Sequence, residues 1–180
     1  MDGYKQALKQ SKRAFVKHVA PLIREKWQVT HIHPCEGKDS GLDGALDRKH
    51  GIDYQLFKDG VSRGLASRIS FKKNFAHIFT LRHSRDDGRK AEYAKLKANI
   101  ESEDAFPEIF LQACIEDDKL LSCAAVATVD LLRYIEEHNP PLHENKHDDG
   151  QHQFFWVISW HDLKQSGVKI FILADTQTPV

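Results

Sequence analysis

The stretch from His50 to Phe71 constrains this chain most, because it reads as a β-hairpin. Its first arm is Ile52 to Phe57 and its second is Gly64 to Phe71. Lys58-Asp59-Gly60 lies between them, and an Asp-Gly step supplies the positive φ of a tight hairpin connection. Side chains alternate along a strand. Ile52, Tyr54 and Leu56 therefore share one face, and Asp53 and Gln55 share the other. In the second arm Leu65, Ser67, Ile69 and Phe71 alternate with Ala66, Arg68 and Ser70. The hairpin thus has a mostly apolar side and a side bearing an acid, an amide and a guanidinium. A carboxylate and a cation on neighbouring strands can hold a metal ion and a phosphate. They can equally form a cross-strand salt bridge.

The rest of the chain frames that hairpin. A length of 180 residues, 41% of them hydrophobic, points to a single domain over 1–180 with a sizeable core. The 26 basic and 26 acidic residues cancel, so nucleic-acid binding must come from a local patch. The polar N-terminus reads against a secretory signal, and no apolar run reaches membrane-spanning length. Cys35, Cys114 and Cys123 are odd in number and widely spaced, which fits unpaired thiols in a reducing cytoplasmic setting.

In chain order, 3–26 has helical spacing in Leu8, Phe15, Val19 and Leu22, with a kink or break expected at Pro21. Gln28 to Cys35 reads as a strand ending at Pro34. His31, His33 and Cys35 would then share a face, which is either a three-ligand metal face or a polar strand face beside a buried thiol. The Gly- and Asp-rich 36–51 reads as a loop. Ala76 to Arg82 is an added strand, and 89–101 is a helix with Tyr93, Leu96 and Ile100 on one side. Ile109 to Ile115 is a central strand. Leu120 to Ala127 fits strand or helix, and Asp130 to His138 is helical. The segment 142–153 reads as a solvated loop. There His143, His147 and His152, with Asp148 and Asp149, offer zinc ligands without a known spacing. Phe154 to Trp160 and Val168 to Leu173 are further strands.

Together these give an α+β domain with a central mixed β-sheet flanked by helices. The αβββαβ order, with Gly51-Ile52-Asp53 on one strand and a basic residue on the next, resembles the PD-(D/E)xK restriction-endonuclease-like superfamily. The match covers about 5–116, leaving 117–175 as a C-terminal elaboration. It implies a metal-dependent nuclease using Mg²⁺ or Mn²⁺, acting on nucleic acid, DNA before RNA, in mobile-element or phage-defence biology. A homo-oligomer or larger complex would suit that setting. In that superfamily a strand Asp and a following acid bind the metal, and a Lys two residues beyond that acid helps activate water. Asp53 stands at the first position and Arg68 at the Lys position, but Ala66 stands where the second acid belongs. Gln55, on the face of Asp53, offers a neutral oxygen. Glu25 or Glu92 offers a migrated carboxylate. Arg68 does not act as a base at neutral pH but can stabilise a phosphorane. Lys72, Lys73, Arg82, Arg85 and Arg89 form a basic cluster that either holds phosphates or is a surface rim neutralised by Asp86 and Asp87. The alternative is a nucleic-acid-binding or scaffolding subunit that kept the fold and lost the acid at Ala66.

Overall fold

A computed structural model of the chain describes residues 2–35, 41–85, 91–146 and 152–176. Helix α1 (Asp2–Ala14) runs through a wide π-helical turn, Phe15–Val19, into α2 (Ala20–Trp27). The helix does not break at Pro21; the irregularity expected there is the wide turn just ahead of it. A proline ring clashes with the carbonyl four residues back, here that of Lys17, and the widened turn contains that residue. The helix stops at Gln28, whose φ is 56°.

Strand β1 (His31–Pro34) leads to α3 (Gly41–Ala45) and a second π-helical turn, Leu46–His50. This corrects the loop expected over 36–51, of which 36–40 lies outside the described residues. The helical turn swings Leu46 inward onto Cys35 and Ile52. Gly51, at φ 73°, reverses the chain into β2, and its N–H donates to Asp47 O.

Strands β2 (Tyr54–Lys58) and β3 (Val61–Ser70) are the expected hairpin, antiparallel from Tyr54 opposite Leu65 to Lys58 opposite Val61. Asp59 and Gly60 both have positive φ, as the connection demands. Then follow β4 (Ile78–Arg85), α4 (Glu92–Glu101), β5 (Ile109–Glu116), β6 (Lys119–Ala127), α5 (Thr128–His138), β7 (Leu142–Lys146), β8 (His152–Ser159), α6 (Trp160–Gln165) and β9 (Ile170–Asp175). Residues 120–127 are therefore a strand, dominated by small buried side chains from Cys123 to Val126.

Six strands form the central mixed sheet in the order β1-β2-β3-β5-β6-β9. All its neighbours are antiparallel except β3 and β5, which run parallel. A parallel pair needs a crossover, and the chain supplies it through β4 and α4. Strand β4 leaves the central sheet and joins β8 and β7 in a second, three-stranded sheet.

The central sheet is covered on both faces. Phe15, Val19 and Ile23 pack from the N-terminal helices onto Tyr54, Leu56, Leu65 and Leu111. The Phe15 ring stacks on Tyr54 at 3.8 Å between centroids. On the other face Ala66, Phe110, Ala124 and Val126 meet Leu96 of α4, Leu131 and Ile135 of α5, and Trp156 and Ile158 of the second sheet. Asp53, Gln55, Ala66 and Arg68 alternate with the side chains that face α1 and α2, so they belong to this second face.

The His-rich segment is corrected in part. His143 lies on β7 opposite Phe155, and His152 lies on β8 opposite Lys146. His147, Asp148 and Asp149 lie outside the described residues. A polar alternation such as His-Glu-Asn-Lys carries no apolar stripe, so cross-strand pairing was invisible there. No helix among the described residues is long and apolar enough to cross a membrane.

Candidate functional site

Asp53 stands just before β2, where it ties three segments together. Its N–H donates to Leu65 O (2.9 Å), and its O accepts from Cys35 N–H (2.8 Å). Its carboxylate Oδ2 accepts from Ser67 N–H at 2.6 Å. The side chain thus continues the ladder to β3 where the backbone departs from it. Gln55 follows two residues on, directly opposite His33 on β1 and Gly64 on β3.

Arg68 sits one residue beyond Ser67. Its Nη2 donates to Glu92 Oε2 at 2.5 Å, and both side chains are about three-quarters buried, at 22% and 24% exposure. The same Glu92 oxygen accepts from Arg82 N–H at 3.2 Å. The guanidinium groups of Arg68 and Arg82 lie over the Phe155 ring, at 5.4 and 5.3 Å from its centroid. The sequence left a choice between a functional cation and a salt bridge with Asp53. The acid on Arg68 is Glu92, supplied by the crossover helix.

Beside Arg68 in the sheet is Gln112, buried on β5. Its Oε1 accepts from Thr80 N–H (2.7 Å) and Thr80 Oγ1 (3.0 Å). Two buried polar atoms on this face, Gln112 Nε2 and Arg82 Nε, have no partner among the described residues, and neither has Ser67 Oγ on the opposite face of β3. Unpaired buried polar groups are costly and demand a reason.

A cleft of about 650 Å³ opens next to this cluster, between β3 and the second sheet. Arg68, Thr80 and Phe155 form part of its wall. Phe71, Lys72, Asn74, Phe75, His143 and Asn145 complete much of the rest. It combines aromatic faces with cations and amides.

The other expected residues distribute unevenly. Glu25 is exposed on α2, a helix that packs on the opposite face of the sheet, so Asp53 and Glu25 are not brought together. Lys72 and Lys73 are exposed at the end of β3, and Lys72 lines the cleft. Arg82 is drawn inward over Phe155 instead of standing on a basic surface. Arg85 is placed in β4 by its backbone only, and Arg89 lies outside the described residues. Of its members with described side chains, Lys72 lies at the cleft rim and Arg82 at the Glu92 network.

Asp53, Glu25 and Glu92 do not form a three-ligand cluster. Among the described residues, the only three or more His, Cys, Asp or Glu ligand atoms that gather within 4.8 Å are those of His33, Cys35 and Asp43. His31, expected beside them, is exposed, with its ring 6.3 Å from that of His33. Asp43 was missed because its segment reads as a loop. Burial, followed by the charges of Asp43, Asp47 and Asp53, pushes the Cys35 thiol up to about 11. Comparison with family models, with curated proteins and with solved structures finds no match for this chain.

Proposed function

We propose that this protein is a metal-dependent nuclease of restriction-endonuclease-like architecture, with Asp53, Glu92 and Arg68 as its working groups. The observation that carries the reading is that two acids from different segments meet neighbouring residues of β3. Asp53 grips Ser67 N–H and Glu92 grips Arg68. Glu92 then takes the part of the acid that Ala66 lacks. The antiparallel β1-β2-β3 run beside a parallel β5 supports the same reading.

The donor set suits magnesium. Asp53, Glu92 and the Gln55 amide present only hard oxygens, and Mg²⁺ keeps several waters while taking one or two carboxylates. When bound, such an ion polarises a phosphoryl oxygen and lowers the pKa of water. The chain's own residues do the rest. Arg68 offers a planar fork to the phosphate, and Glu92 holds that fork until substrate competes for it. The cleft accepts an unpaired strand, with Phe71, Phe75 and Phe155 as stacking faces and Lys72 on the backbone.

A second reading has one observation of its own. Ala66 is 3% exposed and packs in the apolar core beside Phe110, so the usual acid position is closed. A binding subunit that lost its chemistry would look the same there. Cleavage of labelled single- and double-stranded DNA and RNA in Mg²⁺ or Mn²⁺ separates the two. The nuclease reading expects cleavage that EDTA abolishes and added metal restores. Retention of these nucleic acids without cleavage of any of them supports the binding reading instead.

A further inference from the structure

A different part of the same face carries chemistry that the nuclease reading does not use. Cys35 follows Pro34 at the end of β1 and is fully buried against Leu46 and Ile52. His33, two residues earlier, is part-exposed, and its Nε2 lies 3.0 Å from Asp43 Oδ1 on α3. The three ligand atoms all fall within 4.8 Å of one another. Tetrahedral zinc, with bonds of about 2.0–2.3 Å, sets its ligand atoms roughly 3.4–3.7 Å apart. The His–Asp pair must open slightly and the sulfur must close by about an ångström at most.

We infer that His33, Cys35 and Asp43 form a transition-metal site, fitted to Zn²⁺, with three protein ligands and one open position. Sulfur, imidazole and carboxylate together select a borderline-soft ion over magnesium. The alternative use of a Cys–His pair is nucleophilic catalysis. That requires an accessible thiol with a lowered pKa. Cys35 is inaccessible, and its thiol is pushed up, by burial first and then by Asp43, Asp47 and Asp53. The same three acids that oppose a bare thiolate favour a dication beside it. On binding, the Cys35 Sγ–H bond breaks, the sulfur electron pair goes to the metal, and the proton passes to solvent.

Cobalt is the probe. The full chain, freed of metal by a chelator, is titrated with Co²⁺ and then with Zn²⁺. One equivalent should bind, with a thiolate-to-cobalt charge-transfer band, the visible bands of a tetrahedral ion, about one proton released, and displacement by Zn²⁺. Cys35→Ser should erase the charge-transfer band. His33→Gln and Asp43→Asn change part-exposed side chains and should keep the fold. Each should weaken binding more than tenfold, since even outer-sphere partners of a metal are worth 10- to 100-fold. Absence of the band in the wild-type chain overturns the site. So does unchanged affinity in His33→Gln and Asp43→Asn, or uptake lost only on replacing His143 and His152. None of these outcomes depends on nuclease activity.

Discussion

Replacing Glu92 by Gln removes one negative charge from the centre of the cluster and almost nothing else. Glu92 Oε2 accepts from Arg68 Nη2 at 2.5 Å and from Arg82 N–H at 3.2 Å. A hydrogen bond to a charged group contributes about 1.5–3 kcal/mol. Breaking a fully buried ion pair costs about 3–5 kcal/mol, because the surviving charge is stranded. Here roughly a quarter of each side chain meets water, which solvates the orphaned guanidinium. Phe155 keeps its cation–π contact, worth about 1 kcal/mol. The glutamine oxygen still accepts one of the two bonds. The expected loss is about 2 kcal/mol, or roughly 4–8 °C in Tm for a chain of this size. Urea denaturation with a double-mutant cycle through Arg68→Met measures it, and a coupling of about 1–2 kcal/mol is expected. A loss below about 0.5 kcal/mol, or additive single effects, refutes the reasoning. The pair would then be a surface contact that contributes nothing.

Three further outcomes follow from the structure. Burial holds the Cys123 thiol up at about 12 and the Cys35 thiol at about 11, against an ordinary 9.0. In the metal-free chain both fold protonated, so the stability they lend is complete below pH 9 and is lost as pH climbs from there toward 11 and 12. The unfolding free energy from urea denaturation should fall above pH 9, by about 1.4 kcal/mol per pH unit for Cys123, and the slope should flatten in Cys123→Ala; an unchanged slope rejects this. Gly64→Ala would put a Cβ 3.1 Å from Ile52 Cδ1 and Phe106 O, so it should cost about 2 kcal/mol, and a wild-type Tm would contradict that. Phe155→Leu should weaken binding of a labelled single strand about tenfold, since a base stacked on an aromatic ring is worth about 1–3 kcal/mol. Unaltered fluorescence anisotropy would exclude the cleft as the binding path.

The hairpin was legible because two signals agreed. Alternation separated Tyr54 and Leu56 from Asp53 and Gln55, and Asp59-Gly60 fixed the turn. Strand β5 was legible from its unbroken apolar run. The partner of Arg68 was not, because Glu92 is 24 residues away on a separate helix. Only the crossover between parallel strands brings it back over the sheet. Asp43 was hidden differently. Gly41-Leu42-Asp43-Gly44 has loop composition, and the helical turn is fixed by tertiary burial of Leu46 on Cys35 and Ile52. Strand β7 was missed for want of apolar residues; its order comes from pairing with β8. Glu25 shows the opposite error. Its sequence position on a helix said nothing about which face of the sheet that helix covers.

The central claim is that Asp53 and Glu92 together serve phosphodiester cleavage. The most direct test compares single-turnover cleavage by the wild-type chain, Asp53→Asn and Glu92→Gln on one labelled substrate in Mg²⁺. Circular dichroism confirms that each variant is folded. The account predicts metal-dependent cleavage in the wild type and a loss of at least a hundredfold in each variant, about 2.7 kcal/mol of barrier. Equal rates in all three proteins, or cleavage by none of them, would contradict it.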